Sequence, residues 1–289
     1  MGHVLRRAAP FVLLAGSFWL LYGAVVRHLV HDWIRDENYS HGFLILPLAL
    51  YFVWERRRRL AALRTEPDNL GLVIVLGSLA VLLAGTLGAE LFLTRVSLIG
   101  LTAGSIVFLL GWQALRVLAF PVALLLLMIP IPALIFNQIA FPLQLLASQV
   151  GETTLRTLGV PVLREGNVIV LANTSLEVAE ACSGIRSLIS LLTLGIVYGY
   201  FSDPRGGVRV AIALSTIPIA IASNGVRVAG TGIAAHYIGP EAAEGFFHTF
   251  SGWLMFVAAF VMLFVVVRLI IRCAPRRVPQ QAVPGAVTA

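Results

Sequence analysis

The sequence predicts an all-α polytopic membrane protein with about eight transmembrane helices. Of its 289 residues, 58% are hydrophobic and only 12% are charged, and the mean hydropathy is +0.91. A soluble domain of this length does not have that balance. The apolar residues also form long runs separated by short polar segments, which is the pattern of a chain that crosses a bilayer repeatedly.

Eight apolar runs are expected to form the spans, and they occur at about 9–28, 42–54, 70–88, 96–112, 115–136, 185–201, 208–226 and 249–271. The shorter runs need tilt to match the hydrocarbon thickness. The first run lacks an A-x-A-like cleavage site, so it is interpreted as an uncleaved helix. The sequence thus predicts one transmembrane domain over 1–274, followed by a disordered tail at 275–289 that is rich in Pro, Gln and Ala.

Arginine clusters orient the spans. All 21 basic residues are Arg, the net charge is +7, and clusters occur at 6–7, 56–59, 205–209 and 272–277. By the positive-inside rule these clusters place both termini in the cytoplasm, for a protein of the cytoplasmic (inner) membrane. The basic balance belongs to these short loops, so it does not predict nucleic-acid binding.

The segments assigned to the outer face are 29–41, 137–183 and 228–248. Residues 138–158 have apolar positions at helical spacing, which favours a helix at the membrane surface. The β-prone runs 160–163, 168–171 and 176–179 alternate with turn residues and predict a small β meander. This meander leads directly to Cys182, which opens the next apolar run.

Three ionisable side chains are predicted to lie at one depth. Cys182, Arg227 and His248 are about 21, 18 and 20 residues from a cytoplasmic marker on the same span. At 1.5 Å per helical residue, these separations are roughly 32, 27 and 30 Å, close to one hydrocarbon thickness. The last three spans therefore bring a nucleophile, an oxyanion stabiliser and a proton shuttle to the outer interface.

Each member of this trio also has a structural interpretation. Cys182 would be a small buried hydrophobe, Arg227 would extend to the lipid headgroups, and His248 would belong to an interfacial aromatic belt. A helix N-terminus and Arg186, four residues on, both favour the Cys182 thiolate. Cys273 lies at the other membrane face, so the two thiols cannot pair as a dithiol oxidoreductase requires.

Several motifs resemble those of the exosortase/archaeosortase family of multi-pass cysteine transpeptidases. They are Asn38–Leu44 leading to Tyr51–Trp54, Glu180–Leu188, Asn224–Arg227, His236–Glu241 and Phe247–Trp253. The Cys-centred run is the most specific, and His248 makes the resemblance closer to the bacterial exosortases. The family's catalytic Cys, Arg and His would correspond to Cys182, Arg227 and His248.

The resemblance implies a substrate class and a set of partners. Exosortases are thought to act on secreted proteins with a PEP-CTERM signal, and to transfer them to a membrane lipid or another envelope acceptor. A separate companion protein is a further expected partner, whereas nucleic acid, a metal and other cofactors are not expected. Weaker candidates for substrate binding are Arg186, Glu180, Asn224, His41 and His236, and Arg186 would suit the Glu of the signal.

Two other functions agree with the sequence. Water as the acceptor would make the protein an intramembrane cysteine protease, whose product has a free carboxyl terminus. A transporter or a non-catalytic assembly factor for an envelope polymer would instead place polar groups at the bilayer midplane in broken helices. Here the polar groups collect at the outer edge, which favours the enzyme.

Overall fold

The computed structural model describes residues 2–36, 38–172, 174–178, 185–239 and 245–274, with side chains described outside 2–14, 185 and 245–251. Its helices are α1 (Gly2–Arg35), α2 (Gly42–Glu55), α3 (Arg57–Ala61), α4 (Leu70–Leu87), α5 (Leu91–Leu110), α6 (Trp112–Leu124), α7 (Ala133–Thr157), α8 (Ile185–Ser202), α9 (Gly206–Tyr237) and α10 (Gly245–Cys273). Its strands are β1 (Val162–Glu165), β2 (Val168–Leu171) and β3 (Ser175–Glu177).

The predicted helical membrane architecture is confirmed. Five described helices are long and apolar enough to cross a bilayer: Leu70–Leu87, Leu91–Leu110, Ala133–Thr157, Gly206–Tyr237 and Gly252–Cys273. Shorter apolar helices occur at Gly42–Glu55 and Trp112–Met128. The helix expected at 138–158 is the later part of α7, whose earlier start makes it long enough to span as well.

The chain forms two compact units, Met1–Phe141 and Pro142–Ala289, and α7 runs across their boundary. In the first unit, α4 and α5 approach closely because glycines line their contact. A Cβ built on Gly71 would lie 2.1 Å from the Phe108 backbone nitrogen, and one built on Gly104 would lie 2.8 Å from the Val75 nitrogen. Only glycine permits backbones to pack at this distance.

The expected span at 115–136 is not one helix. Helix α6 ends at Leu124, a 3₁₀ turn covers Leu125–Met128, and α7 begins at Ala133. Pro130 and Pro132 lie in the interruption. Neither proline has an N–H to donate to a carbonyl one turn earlier, so the helix stops.

In the second unit, the predicted β meander is confirmed. The three strands form an antiparallel sheet in the order β1-β2-β3, and Glu165 pairs with Val168 across a two-residue turn. Gly166 in this turn has a φ of 65°, which a hairpin turn of this length favours. The buried side chains of Ile169, Leu171 and Val178 join an apolar core with residues of α7 and α9.

Helix α9 is longer than the run expected at 208–226. It continues without interruption to Tyr237, ten residues beyond Arg227. Glycines again explain the extension: a Cβ on Gly225 would lie 2.5 Å from Val150, and one on Gly232 would lie 2.7 Å from Leu155. The later turns of α9 are therefore held against α7, and Arg227 lies within a helix rather than at its end.

Candidate active site

Arg227 projects from α9 onto the neighbouring helix α10. Its side chain is half-buried, and its Cζ and Nη1 each lie 3.8 Å from the position of a Cβ built on Gly252. Since Gly252 has no side chain, the guanidinium lies beside α10 at van der Waals distance from the space that a Cβ would occupy. An Arg that only extended to the headgroups would not need this contact.

A hydrogen bond fixes the register between α9 and α10. The Ser223 hydroxyl donates to the Met255 carbonyl at 3.0 Å. This bond lies one turn of α9 before the contact of Arg227 with Gly252. The two contacts step four residues forward on α9 and three residues back on α10, as antiparallel helices do. One more step places the backbone of Thr249, and with it that of the adjacent His248, near the level of Thr231, about one turn from Arg227.

The start of α8 lies at the same level. A Cβ on Gly195 would lie 2.5 Å from Thr216, and one on Gly199 would lie 3.4 Å from Ile212, so α8 and α9 run antiparallel in step. Continuing this register by ten residues places Ile185, the first residue of α8, level with Val226. The structure therefore brings the start of α8, the middle of α9 and the early turns of α10 to one level.

The structure describes some of the site residues predicted from the sequence and leaves others outside the described part of the chain. Cys182 and Glu180 lie outside the described residues, as does the His248 side chain, although the His248 backbone belongs to α10. Arg186 is in the first turn of α8 and is half-buried, and Asn224 is buried one turn before Arg227 on α9. Arg186 and Asn224 therefore both lie near the level of Arg227.

His236 is on a different part of α9. It follows Arg227 by nine residues, which is roughly 14 Å along the axis and half a turn around it. Its ring instead forms an edge-on contact with Tyr237, with 4.8 Å between centroids. The helix therefore separates His236 from Arg227.

His41 belongs to the first unit, where it helps to satisfy the broken helix. Its Nε2 donates to the Leu127 carbonyl at 3.0 Å, and the Trp33 indole nitrogen donates to the Met128 carbonyl at 2.9 Å. The Ile131 N–H donates to the Tyr39 hydroxyl at 3.2 Å. These bonds satisfy backbone groups that have no helical partner in the interruption. Burial lowers the pKa of His41.

The sequence interpretation missed an ion pair between a buried arginine and a half-buried aspartate. Arg95 is 3% exposed, and its Nη2 donates to the Asp32 carboxylate at 2.5 Å. A charged residue directly before the apolar run expected at 96–112 was the available signal, because such a group needs a partner once it is buried. In the second unit, Glu152 accepts from both Arg156 and Arg164, at 2.7 and 3.0 Å, which ties β1 to α7.

In the described part of the chain, no three His, Cys, Asp or Glu side chains come together in an arrangement that could hold a metal ion. Comparison with protein families gives one decisive result: the model for transmembrane exosortases matches residues 33–265. The chain belongs to the transmembrane exosortase family. Searches among curated proteins and among solved structures return no match.

Exosortases are in general membrane cysteine transpeptidases that act on sorting signals. In this exosortase, the matched range includes all the candidate site residues and extends over both compact units. The family assignment, the helical membrane architecture and the contact between Arg227 and α10 therefore concern the same stretch of chain.

Proposed function

We propose that this exosortase cleaves C-terminal sorting signals of the PEP-CTERM type from exported proteins. It transfers the shortened protein to an envelope acceptor, such as a membrane lipid, through a thioester on Cys182. The active site faces the outer side of the inner membrane, and both termini are cytoplasmic. A substrate with a single span would present its motif at that interface.

Cys182, Arg227 and His248 share the chemistry. His248 takes the thiol proton, and the Cys182 thiolate attacks the scissile carbonyl carbon, whose oxygen becomes an oxyanion stabilised by Arg227. The C–N bond breaks as His248 returns the proton to the leaving amine, which leaves a thioester. His248 then removes a proton from the acceptor, which attacks the thioester and releases the Cys182 thiolate.

The observation that carries this proposal is the contact of the Arg227 guanidinium with α10 at Gly252. That contact lies one helical turn from the backbone of His248. The register of α8 against α9 brings the residue that follows Cys182-Ser183-Gly184 to the level of Val226. This arrangement supports a shared site, because general acid–base and oxyanion roles require the groups to reach one carbonyl.

Mass spectrometry of the detergent-purified enzyme tests the proposal. The protein is mixed with a PEP-CTERM-type substrate in the absence of an acceptor, and wild type is compared with Cys182→Ala. We expect an acyl adduct on Cys182 that the variant lacks, although the variant inserts into the membrane normally. Full processing by Cys182→Ala would refute the nucleophile assignment.

The same experiment identifies the acceptor chemistry. A cleaved product that carries a free carboxyl terminus and no adduct would indicate direct hydrolysis or a short-lived thioester, and a free carboxyl terminus that persists when an acceptor is added would make the protein an intramembrane protease that uses water. A conjugated carboxyl terminus, once an acceptor is added, would establish transfer. Substrate recognition is tested by two separate changes, the substitution of Arg186 in the enzyme and the removal of the motif's Glu in the substrate. If neither change affects cleavage, the pairing of these two groups is refuted.

A further inference from the structure

A cavity of about 430 Å³ lies between the C-terminal turns of α8 and α10, at the opposite end of these helices from Arg227. Tyr198 and Ser202 line it from α8, and Arg268, Ile271 and Arg272 line it from α10. Its volume is within the usual range of small-molecule sites. Arg227 and the backbone of His248 are at the level of the other ends of these helices, so this cavity is separate from the described part of the candidate active site.

The cavity is open to the surface, and both of its arginines are exposed. Arg268 and Arg272 are four residues apart and so share one face of α10. The Arg268 Cζ lies 4.8 Å from the centroid of the Phe264 ring, which itself stacks on Tyr198 at 6.2 Å. A guanidinium that lies on an aromatic face keeps its N–H donors at its edge, where they can bind an anion.

Among the described residues that line the cavity, none is a carboxylate. In the described part of the chain, neither Arg268 nor Arg272 forms an ion pair. Asp203 follows Ser202 in the sequence, but Arg205 occupies it through bonds of 2.8 Å to Oδ1 and 2.6 Å to Oδ2. The positive charge of the cavity is therefore available to a ligand.

The position of the cavity indicates where its ligand comes from. The apolar span Gly252–Cys273 ends beside it, so Arg268 and Arg272 lie at the boundary between hydrocarbon and water. Basic pockets between helices at this depth bind the phosphate groups of anionic lipids. The Ser202 hydroxyl adds a neutral donor to the two charged ones.

We propose that this cavity is a binding site for a phosphate group, supplied by the headgroup of an anionic phospholipid. Arg268 and Arg272 neutralise the phosphate, and Ser202 donates a hydrogen bond to it. The bound lipid would hold the ends of α8 and α10 together at the membrane surface. The site is independent of the proposed transpeptidase chemistry.

Native mass spectrometry of the full-length protein with phosphatidylglycerol, compared with phosphatidylcholine, tests this proposal. The site variant is the double substitution Arg268→Gln and Arg272→Gln. Its matched control is Arg58→Gln with Arg59→Gln, which removes the same charge from two exposed positions. We expect roughly thirtyfold weaker phosphatidylglycerol binding in the site variant alone, and a smaller loss in Ser202→Val, which keeps every charge.

Thermal melting in detergent is the control that tests whether each variant remains folded. Titration with inorganic phosphate separates the two sources of the ligand: competition at low millimolar concentration would mean that soluble phosphate also occupies the site. Without competition, the ligand is the lipid headgroup. Equal lipid binding by wild type and site variant, or an equal loss in the control, would overturn the proposal.

Discussion

Gly252 on α10 provides the sharpest test of the Arg227 assignment. Among the described residues, the Arg227 guanidinium is the only group within 4 Å of a Cβ built at this position. A side chain added there therefore acts on Arg227 first. We predict that Gly252→Val strongly reduces processing of the sorting signal, while Gly252→Ala has little effect.

The geometry sets the size of both effects. The alanine Cβ would be 3.8 Å from Cζ and Nη1 of Arg227, which is an ordinary van der Waals separation. Valine adds two γ carbons about 1.5 Å further out, so one directed at the guanidinium would displace it by roughly 1 Å. A misplacement of about 1 Å in a catalytic group costs about a hundredfold in rate.

The assay is the single-turnover rate of substrate cleavage by purified enzyme, with melting temperature as the measure of folding. Ala258→Val is the matched control, because Ala258 lies on the same helix with its side chain exposed. It should retain the wild-type rate. If Gly252→Val is folded and cleaves at nearly the wild-type rate, the position of the Arg227 guanidinium does not matter for the reaction.

Three further predictions concern charge, packing and pH. Arg227→Lys keeps the charge but loses the planar fork, so the cleavage rate should fall by about 10²–10³; a rate within threefold of wild type would favour a headgroup contact. Gly71→Ala places a Cβ 2.1 Å from a backbone nitrogen of α5 and should lower the free energy of unfolding by about 1–3 kcal/mol. Its control Gly77→Ala meets nothing within 4 Å, and equal melting temperatures for the two variants would contradict the packing argument. Hydrogen bonds from Arg205 lower the pKa of Asp203 from 3.8 to about 2. The stability from this carboxylate is thus fully present above about pH 4 and is lost as the pH falls through 2. The melting temperature of Asp203→Asn should be below that of wild type at pH 6 and nearly equal to it near pH 2. A difference in melting temperature that stays constant with pH would show that the Asp203 carboxylate does not cause it.

Secondary-structure predictions that rest on residues close together in the sequence agree best with the structure. The meander over 160–179 was predictable because turn residues and β-prone runs alternate within a few positions of one another, and the observed strands begin and end within two residues of those runs. The helix expected at 138–158 was predictable from its apolar spacing. In both cases the signal and the element occupy the same short stretch of sequence.

Expectations about where helices end agree less well. The apolar run 115–136 was expected to form one span, although Pro130 and Pro132 were an available signal for the break at Leu125–Pro132. The sequence did not show that Trp33, Tyr39 and His41 bond backbone groups in this break. Helix α9 was expected to end near Arg227 but continues to Tyr237, because Gly225 and Gly232 let it pack on α7. Both outcomes depend on partners that are distant in sequence.

Composition and motifs alone predicted the class of the protein and its family, and they are the source of the three proposed catalytic residues. Composition and motifs carry that information residue by residue, and it does not depend on how helices pack. The packing of the helices was needed to show that the Arg227 guanidinium lies beside Gly252 of α10, that His236 is on another side of α9, and that His41 bonds a broken helix. These facts follow from interhelical register, which is set by the close approach of glycines and by single hydrogen bonds between remote residues.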